Sequence, residues 1–573
     1  MSYVFTVDQI RAAEQVLLRA ESSPDELMRQ AAHLVALTAE AMCGWEMSPV
    51  QQVQATDDRI LLLVGAGGNG GDALYAGTEL LRSRGVDAVL LGRDGRVHER
   101  ALAAFTDAGG TVLPELPRDL RVYRLIVDGI LGIGGVGGLG EDLALWLELA
   151  RQMSTPILAV DVPSGVAADT GALPEPVETT RMDLHPGLPA PDTDVDPADF
   201  LGRRLPQHVT ADATVTFGQL RRAHAVSPAC GEVVYADIGI HDLSLREELH
   251  RRVVDGGSVL AWRAVHPEQA PWPEPLSTLS TTHVPTPEPG VDDDKYSGGV
   301  VGICAGSARY PGAAVLTTTA AVRATSAMVR YVGSQRQEVV RALPEVVASA
   351  TVADTGRVQA WVVGPGRGTD DTARTELAEL LARPEALIID ADALTLLAED
   401  ADLREQLRQR DPAVLLTPHL GEFRRLSATL DSPVPDPADD RIGAVLALSG
   451  ALDCGVLLKG RHTVMVTRGS GTDIVTVDAG SSWAATPGSG DVLAGLIGAW
   501  TASTVADTDA FRSRYPGLDD DPNLPLSLVS TFEAVTVHGM AAWLAAQTPD
   551  GPGPTSALPI AEAIPRAIAR LSR

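Results

Sequence analysis

Short apolar runs alternate with helix-patterned segments along most of the chain, and this alternation constrains the fold more than any other feature. In the first half the runs are Arg59 to Val64, Val86 to Leu91, Val122 to Asp128, Pro156 to Asp161 and Ala213 to Phe217. From Val300 the pattern resumes with Val300 to Cys304, Gln359 to Val363, Ala386 to Asp390, Ala413 to Thr417, Gly455 to Leu458 and Thr463 to Thr467. Each series reads as βαβ units around a parallel sheet, which predicts an α/β protein of two doubly wound three-layer domains. Two proline-rich stretches interrupt the series: 172–206, expected as an insertion loop, and 265–294, expected as part of a linker. The expected domains are therefore 1–245 and 295–573, joined by a Pro-rich linker over 246–294. A polar stretch at 503–523 is expected as a surface insertion.

Charge and composition exclude several functions. A formal net charge of −29 over 573 residues disfavours nucleic acid or an anionic membrane as partner. No apolar run has the length of a membrane span, and Met1-Ser2-Tyr3-Val4 lacks a basic secretory start, so a cytoplasmic protein is expected. The four cysteines are far apart and form no Cys-x-x-Cys pair, which argues against zinc or a disulfide framework. Lysine occurs only at Lys295 and Lys459. Neither follows glycine and precedes Ser or Thr, so a Walker loop is excluded and any phosphate site needs another design.

After the strand ending at Val64 comes Gly65-Ala66-Gly67-Gly68-Asn69-Gly70-Gly71-Asp72, and a second glycine-rich stretch, Gly132-Ile133-Gly134-Gly135-Val136-Gly137, follows Asp128. Both satisfy Gly-x-Gly-x-x-Gly, which shows how little that pattern decides; an acidic end to the second strand, expected for dinucleotide binding, is missing. The polar residues discriminate better. Asn69, Asp72, Asp128 and Asp161 all fall at strand ends, where open α/β sheets bind ligands.

These residues, with Asp161-Val162-Pro163-Ser164-Gly165 and Glu26-Leu27-Met28, resemble the NAD(P)H-hydrate epimerase domain, also called the YjeF N-terminal domain, from about Thr6 to Ile240. The resemblance implies a Rossmann-like first domain. It also implies that Gly68, Asn69, Gly70, Gly71 and Asp72, together with Gly132, Ile133, Gly134, Gly135, Val136, Gly137 and Gly138, hold a hydrated nicotinamide cofactor. Asp161 would act on it as acid/base, and Asn69, Asp128 and Ser164 would surround a potassium ion, whose all-oxygen ligation suits a hard cation. Gly68 stands where the family usually has a second Asn, and Ala73 where it usually has Gly.

In the second half, Gly306 to Ala314 leads into an Ala/Thr/Val helix, and Gly364-Pro365-Gly366, Asp390-Ala391-Asp392-Ala393-Leu394, Thr417-Pro418-His419-Leu420-Gly421-Glu422-Phe423 and Lys459-Gly460-Arg461-His462-Thr463 each follow a strand. Ala484-Ala485-Thr486-Pro487-Gly488-Ser489-Gly490-Asp491 runs into a helical segment, so backbone N–H groups there would converge on an anion beside a carboxylate. Alone, that turn reads equally as a capped helix start. The whole set is similar to the NAD(P)H-hydrate dehydratase family, a branch of the ribokinase-like fold, from about Tyr296 to Arg573. The resemblance implies that Ala313, Gly366, His419 and Asp491 contact the hydrated cofactor. Lys459, Gly460, Arg461, His462, Thr463 and Gly490 would hold ADP, with Mg2+ expected alongside. Gly488, Ser489 and Gly490 would form the anion hole, Pro487 having no N–H to give. Asp491 would be the catalytic base that lets the substrate hydroxyl take up a phosphoryl group. The implied partners are the hydrated cofactor and ADP, with a homo-oligomer expected. A small-molecule kinase of ribokinase type, with a non-catalytic nucleotide-binding first half, is the alternative reading.

Overall fold

The computed structural model describes residues 2–45, 58–92, 95–135, 137–180, 202–241, 243–252, 259–265, 272–285, 288–289, 291–468, 474–509 and 528–573. The chain divides into two compact units, Ser2–Gly256 with Glu268–Leu279 and Gly257–Pro267 with Ser280–Arg573.

In the first unit the sheet runs, in spatial order, Ser277–Thr278, Glu232–Ala236, Ala213–Phe217, Ile157–Val160, Tyr123–Gly129, Arg59–Val64, Val86–Leu90 and Thr111–Leu113. Every pairing is parallel except that of Ser277–Thr278. The layers follow from side-chain alternation on a strand. Ile60, Leu62 and Val64 share a core with helices Val7–Ala20, Glu26–Cys43 and Gly68–Leu80, whereas Leu61 and Leu63 pack with Trp146 and Ala150 of helix Glu141–Gln152. From Arg59–Val64 the chain first builds outward through Val86–Leu90 and Thr111–Leu113. It then returns to the other side of its starting strand with Tyr123–Gly129. That reversal opens a crevice at the carboxyl ends of those two strands.

The second unit repeats the plan. Its strands lie in the order Val259–Arg263, Ile474–Asp478, His462–Val466, Gly455–Leu458, Val414–Leu416, Ala386–Ile389, Ala360–Val363, Val301–Cys304, Val329–Val332 and Val347–Ser349. Only His462–Val466 is antiparallel to its neighbours. Val301, Ile303, Val362 and Ile388 face a core shared with helices Pro311–Ala324, Ser489–Ala506, Leu528–Ala546 and Ala557–Leu571. The alternate residues Trp361, Leu387 and Ile389 are buried on the opposite face, so this sheet too is covered on both sides. The reversal falls beside Val301–Cys304.

The sequence expectation differs from the structure most at the linker. Val259–Arg263 is an edge strand of the second unit, paired with Ile474–Asp478, while Ser277–Thr278 closes the edge of the first unit's sheet. Proline density drew attention to the flanks of an apolar Val-Leu-Ala-Trp-Arg run and away from the run itself. In the expected insertion at 172–206, Val177–Glu178 pairs with Arg204–Leu205 at its base; 181–201 lie outside the described residues. So do 510–523 of the expected polar insertion, whose first residues complete helix Ser489–Ala506. The four cysteines are buried and unpaired. Among the described residues no helix is long and apolar enough to cross a membrane.

Helices Pro311–Ala324 and Ser489–Ala506 carry Ala313 and Asp491, and their close approach depends on Gly495, where an added Cβ would overlap the Thr317 carbonyl. Gly495→Val is expected to destabilise the second unit by about 1–3 kcal/mol through overpacking. A lowered midpoint in chemical denaturation would show this; an unchanged midpoint would mean that the helices part without cost.

Candidate active sites

The crevice of the first unit is a cavity of about 600 Å3 lined by Gly67, Gly68, Asn69, Asp72, Gly132–Gly135, Asp161 and Arg221, among others. Glycine is required where helix Gly68–Leu80 closes on its loop: a Cβ at Gly65 would overlap the Ile130 carbonyl, and one at Gly70 the Gly65 carbonyl. Gly70 and Gly71 are buried, whereas a Cβ at Gly68 meets open space, so its lack of a side chain is no packing need. Val136 is outside the described residues, and Gly138 lies against Gln207.

Asp161 takes up a left-handed backbone with φ 66°. Its carbonyl accepts from His224 Nε2 at 2.7 Å, because His224 Nδ1 accepts the Arg221 N–H at 3.0 Å and leaves the ring proton on Nε2. Burial holds this imidazole neutral, its pKa pushed down to about 4. The Asp161 carboxylate accepts from Thr216 Oγ1 and pairs with Arg221, both at 3.0 Å. Arg221 is itself fixed by the carbonyls of Phe217 and Gln219. Beneath the crevice, Asp128 accepts from Ser164 Oγ at 2.6 Å, Ser164 N–H at 2.8 Å and Ile130 N–H at 3.2 Å. Burial raises its carboxyl to about 6 against the lowering effect of those bonds. Asn69 Nδ2 donates to the Val160 carbonyl at 2.5 Å and Ser164 Oγ accepts from Leu131 N–H, which brings Asn69, Asp128 and Ser164 to one place.

In the second unit the sequence motifs meet at strand ends. Ala313 and Gly366 touch: a Cβ on Gly366 would overlap that of Ala313. Lys459 Nζ forms a 2.6 Å ion pair with Asp390, and its head lies 3.3 Å from where a Cβ of Gly490 would be. Burial works against the lysine charge, but Asp390, Glu422 and Asp491 outweigh it and raise the ammonium's pKa. Gly488 caps helix Ser489–Ala506 in a left-handed conformation, φ 84°. The carboxyl of Asp491, in the first turn, is pushed up to about 7, first by burial, then by Asp390, with Lys459 opposing and Asp392 and Glu422 adding.

Five residues expected as contacts have structural duties of their own. The Ser489 N–H donates to the Thr486 carbonyl at 3.2 Å and its Oγ lies 3.0 Å from His538 Nε2, so of the expected anion donors Gly488 and Gly490 remain, joined by Asp491 N–H. His419 caps helix Leu420–Ser427, its Nδ1 accepting from Gly421 and Glu422 N–H, and its exposed ring lies 3.3 Å from Glu422 Oε1. Arg461 and His462 turn to Asp478, at 2.6 and 3.9 Å, and Thr463 Oγ1 bonds back to the Gly460 carbonyl. Sequence reasoning passed over Asp390, Asp392 and Glu422, although all three stand in the quoted motifs. It also passed over Glu14, Thr216, Arg221 and His224, which carry no local signal. Among the described residues no group of three or more His, Cys, Asp or Glu side chains is arranged to hold a metal ion.

Two doubly wound units, each with polar groups gathered at the carboxyl ends of its strands, define a two-domain α/β protein with a ligand crevice in the first unit and an anion-ready helix start in the second. Residues 301–513 match the NAD(P)H-hydrate dehydratase family, and residues 24–223 match the YjeF-related protein N-terminus family. The bifunctional NAD(P)H-hydrate repair enzyme of Corynebacterium glutamicum is 47% identical over 592 residues, which cover 100% of this chain and 99% of that protein. Its counterpart in Mycobacterium tuberculosis is 41% identical over 513 residues, with 89% and 91% covered. A Bacillus subtilis ADP/ATP-dependent NAD(P)H-hydrate dehydratase, co-crystallised with ATP and Mg2+, aligns with 50% of this chain and 94% of its own at 23% identity and a TM-score of 0.39. The chain belongs to the family of bifunctional NAD(P)H-hydrate repair enzymes, and the expected resemblances of its first half to the YjeF N-terminus and of its second to the NAD(P)H-hydrate dehydratases are borne out.

The raised Asp491 carboxyl has a cost in stability. Its proton is bound more tightly folded than unfolded, so stability is full below the unfolded value of 3.8 and falls as pH rises towards about 7. Asp491→Asn removes that loss and is expected to stabilise the protein at about pH 8, but not at about pH 4, by on the order of 1–2 kcal/mol. Denaturation of both proteins at the two pH values tests this; an equal effect at both would mean that Asp491 ionises freely.

Proposed function

We propose that this chain restores hydrated nicotinamide cofactors: the first unit interconverts the R and S epimers of NAD(P)HX, and the second dehydrates the S epimer at the expense of ADP, giving NAD(P)H, AMP and phosphate. The observation that carries the reading is Asp491, a carboxyl at a glycine-capped helix start beside the buried Lys459, in a chain that also holds the Asp161 crevice.

Hydroxide is a poor leaving group, so the C6 hydroxyl of the hydrate must first become a phosphate. Asp491 takes the hydroxyl proton as the oxygen attacks the β-phosphorus of ADP and AMP departs. Lys459 and the N–H groups of Gly488, Gly490 and Asp491 stabilise the charge on the phosphoryl group in flight, donors of this kind being worth on the order of 10²- to 10³-fold each. Phosphate then leaves from C6, driven by the ring nitrogen lone pair, and loss of a C5 proton regenerates the reduced ring. Lys459 to Thr463 hold the nucleotide, Ala313, Gly366 and His419 the hydrate. The described residues offer no protein cage for Mg2+, which fits an ion carried on the nucleotide phosphates and neutralising them.

In the first unit, Gly68 to Asp72 and Gly132 to Gly138 flank the hydrate and Asp161 acts on it as acid/base. Asn69, Asp128 and Ser164 supply an amide, a buried carboxylate and a hydroxyl, a hard oxygen set of single charge that fits potassium. A bound potassium ion would add fixed positive charge beneath the cofactor. The acidic chain suits a cytoplasmic, homo-oligomeric enzyme handling small molecules.

Recovery of reduced-nicotinamide absorbance from mixed NADPH hydrate epimers and ADP tests the reading. Full recovery is expected. Recovery of the S fraction alone would remove the epimerase, and none would leave a kinase. As a base, Asp491 must be ionised, so dehydration should rise with pH through about 7. Asp491→Asn should lower dehydration at least about 10²-fold and leave epimerisation, with Asp161→Asn doing the reverse. Loss of both activities from either change would contradict separate sites.

A further inference from the structure

Three carboxyl groups from three different elements line the crevice of the first unit: Glu14 of helix Val7–Ala20, Asp72 of helix Gly68–Leu80 and Asp161 after strand Ile157–Val160. Among the described lining residues the one guanidinium is that of Arg221, paired with Asp161 at 3.0 Å and 3.8 Å from Glu14. Glu21 and Asp25 also border the cavity, but Glu21 accepts the Leu27 N–H, and Asp25 pairs with Arg100 at 2.7 Å and accepts from the Tyr75 hydroxyl. One buried cation cannot hold three neighbouring carboxyl groups ionised. Of the three, Asp161 has the closest cation contact and also accepts the Thr216 hydroxyl. Asp72 is 7% exposed, and burial, then the charges of Asp161 and Glu14, hold its carboxyl well above the usual range. Glu14 is raised as well, by burial, with Arg221 opposing, Asp161 adding and Arg11 opposing.

We propose that Asp72 is the general acid of epimerisation, acting on the C6 hydroxyl while the Asp161 carboxylate serves as the base. Two carboxyl groups of one site held in opposite protonation states are what acid/base pairs require. The assignment rests on the epimerase reading above. Asp72 gives its proton to the C6 hydroxyl, the C6–O bond breaks, and water departs as the ring nitrogen lone pair forms the C6=N1 iminium. A water molecule adds to C6 from the other face and loses its proton to Asp161, and the iminium electrons return to nitrogen. Proton exchange with solvent then resets both groups. No oxidant, reductant or second substrate is consumed, and the role gives Asp72 a function that cofactor contact alone does not require.

The test uses the full-length protein and purified R-NADPH hydrate, with dehydration of the S epimer by ADP as an internal control. Asp72→Asn keeps shape and polarity but has no acidic proton. Epimerisation kcat is expected to fall at least about 10²-fold, with KM within about threefold and S-epimer dehydration unchanged. If wild type interconverts the epimers and Asp72→Asn does so at the same kcat, or raises only KM, Asp72 is a contact and the proposal fails. If wild type does not interconvert them, it is the epimerase reading that fails. The wild-type pH profile decides independently of any variant's folding. Asp72 faces Asp161 and Glu14, with Arg221 paired to Asp161, Arg11 acting on Glu14 and reaching Gly134, and Glu21 and Asp25 on the cavity border, and it must be neutral to act. Epimerisation should therefore persist above the ordinary carboxylate range and fall as Asp72 ionises at higher pH. A rate that already collapses between about pH 4 and pH 5, or stays flat to about pH 10, would overturn the assignment.

Discussion

Carboxyl groups buried without an equal number of cations are forced apart in acidity, and both units are organised around that constraint. In the first, Glu14, Asp72 and Asp161 share Arg221. In the second, Asp390, Asp392, Glu422 and Asp491 act on one another around Lys459. Desolvation raises Glu14, Asp72, Glu422 and Asp491, while each cation touches a different carboxylate, Asp161 at 3.0 Å and Asp390 at 2.6 Å. Asp72 and Asp491, which neither cation touches, are held less acidic than usual. A chain with formal charge −29 pays for these two sites in repulsion, and the surrounding hydrogen bonds hold the geometry against it.

That geometry depends on topology. Parallel strands send their carboxyl ends to one edge, and reversal of strand order beside Arg59–Val64 and again beside Val301–Cys304 separates the helices that would otherwise close it. Each gap is then lined by the loops that follow strands, so residues distant in sequence meet without long side chains. Asp72 and Asp161, or Asp390 and Asp491, come together in this way. Glycine permits the final approach: Gly65, Gly70 and Gly495 stand where a Cβ would strike a carbonyl, and Gly488 supplies the left-handed turn that opens the helix start towards an anion.

Strand positions and strand-end residues were legible in the sequence because apolar runs and their polar terminators are local patterns. Arg59–Val64, Ala213–Phe217 and Gly455–Leu458 coincide with their expected bounds, and the other expected strands differ by a residue at one or both ends. Val259–Arg263 was hidden by the prolines around it, and Glu232–Ala236 by its short, mixed composition. The site was legible only in part for the same reason. Asp491 and Lys459 stand in turns whose chemistry is written locally. Arg221 becomes a charge partner only because Ala213–Phe217 lies next to Ile157–Val160, a register no motif reports. His419 shows the same limit from the other side: the motif does not report that its Nδ1 is taken by two backbone N–H groups, which leaves Nε2, beside Glu422 Oε1, as the nitrogen facing outward.

The choice of lysine at 459, in a chain otherwise almost wholly reliant on arginine, follows from the space at the helix start. A guanidinium beside Asp390 would favour a planar bidentate pair, as Arg367 makes with Glu376, and would fix its donors on the protein. An ammonium is a compact point charge with three donors. It spends one on Asp390 and sits close over Gly490, where glycine leaves it room. Its remaining donors and its field stay available to a phosphoryl group arriving at the N–H groups of Gly490 and Asp491. The same field limits how far Asp491 can rise, which leaves its carboxyl at about 7, basic enough on the proposed reading to take a hydroxyl proton and roughly half ionised at neutral pH. On the proposed reading, lysine thus serves two functions at one atom: holding transferred charge and tuning the base that starts the transfer.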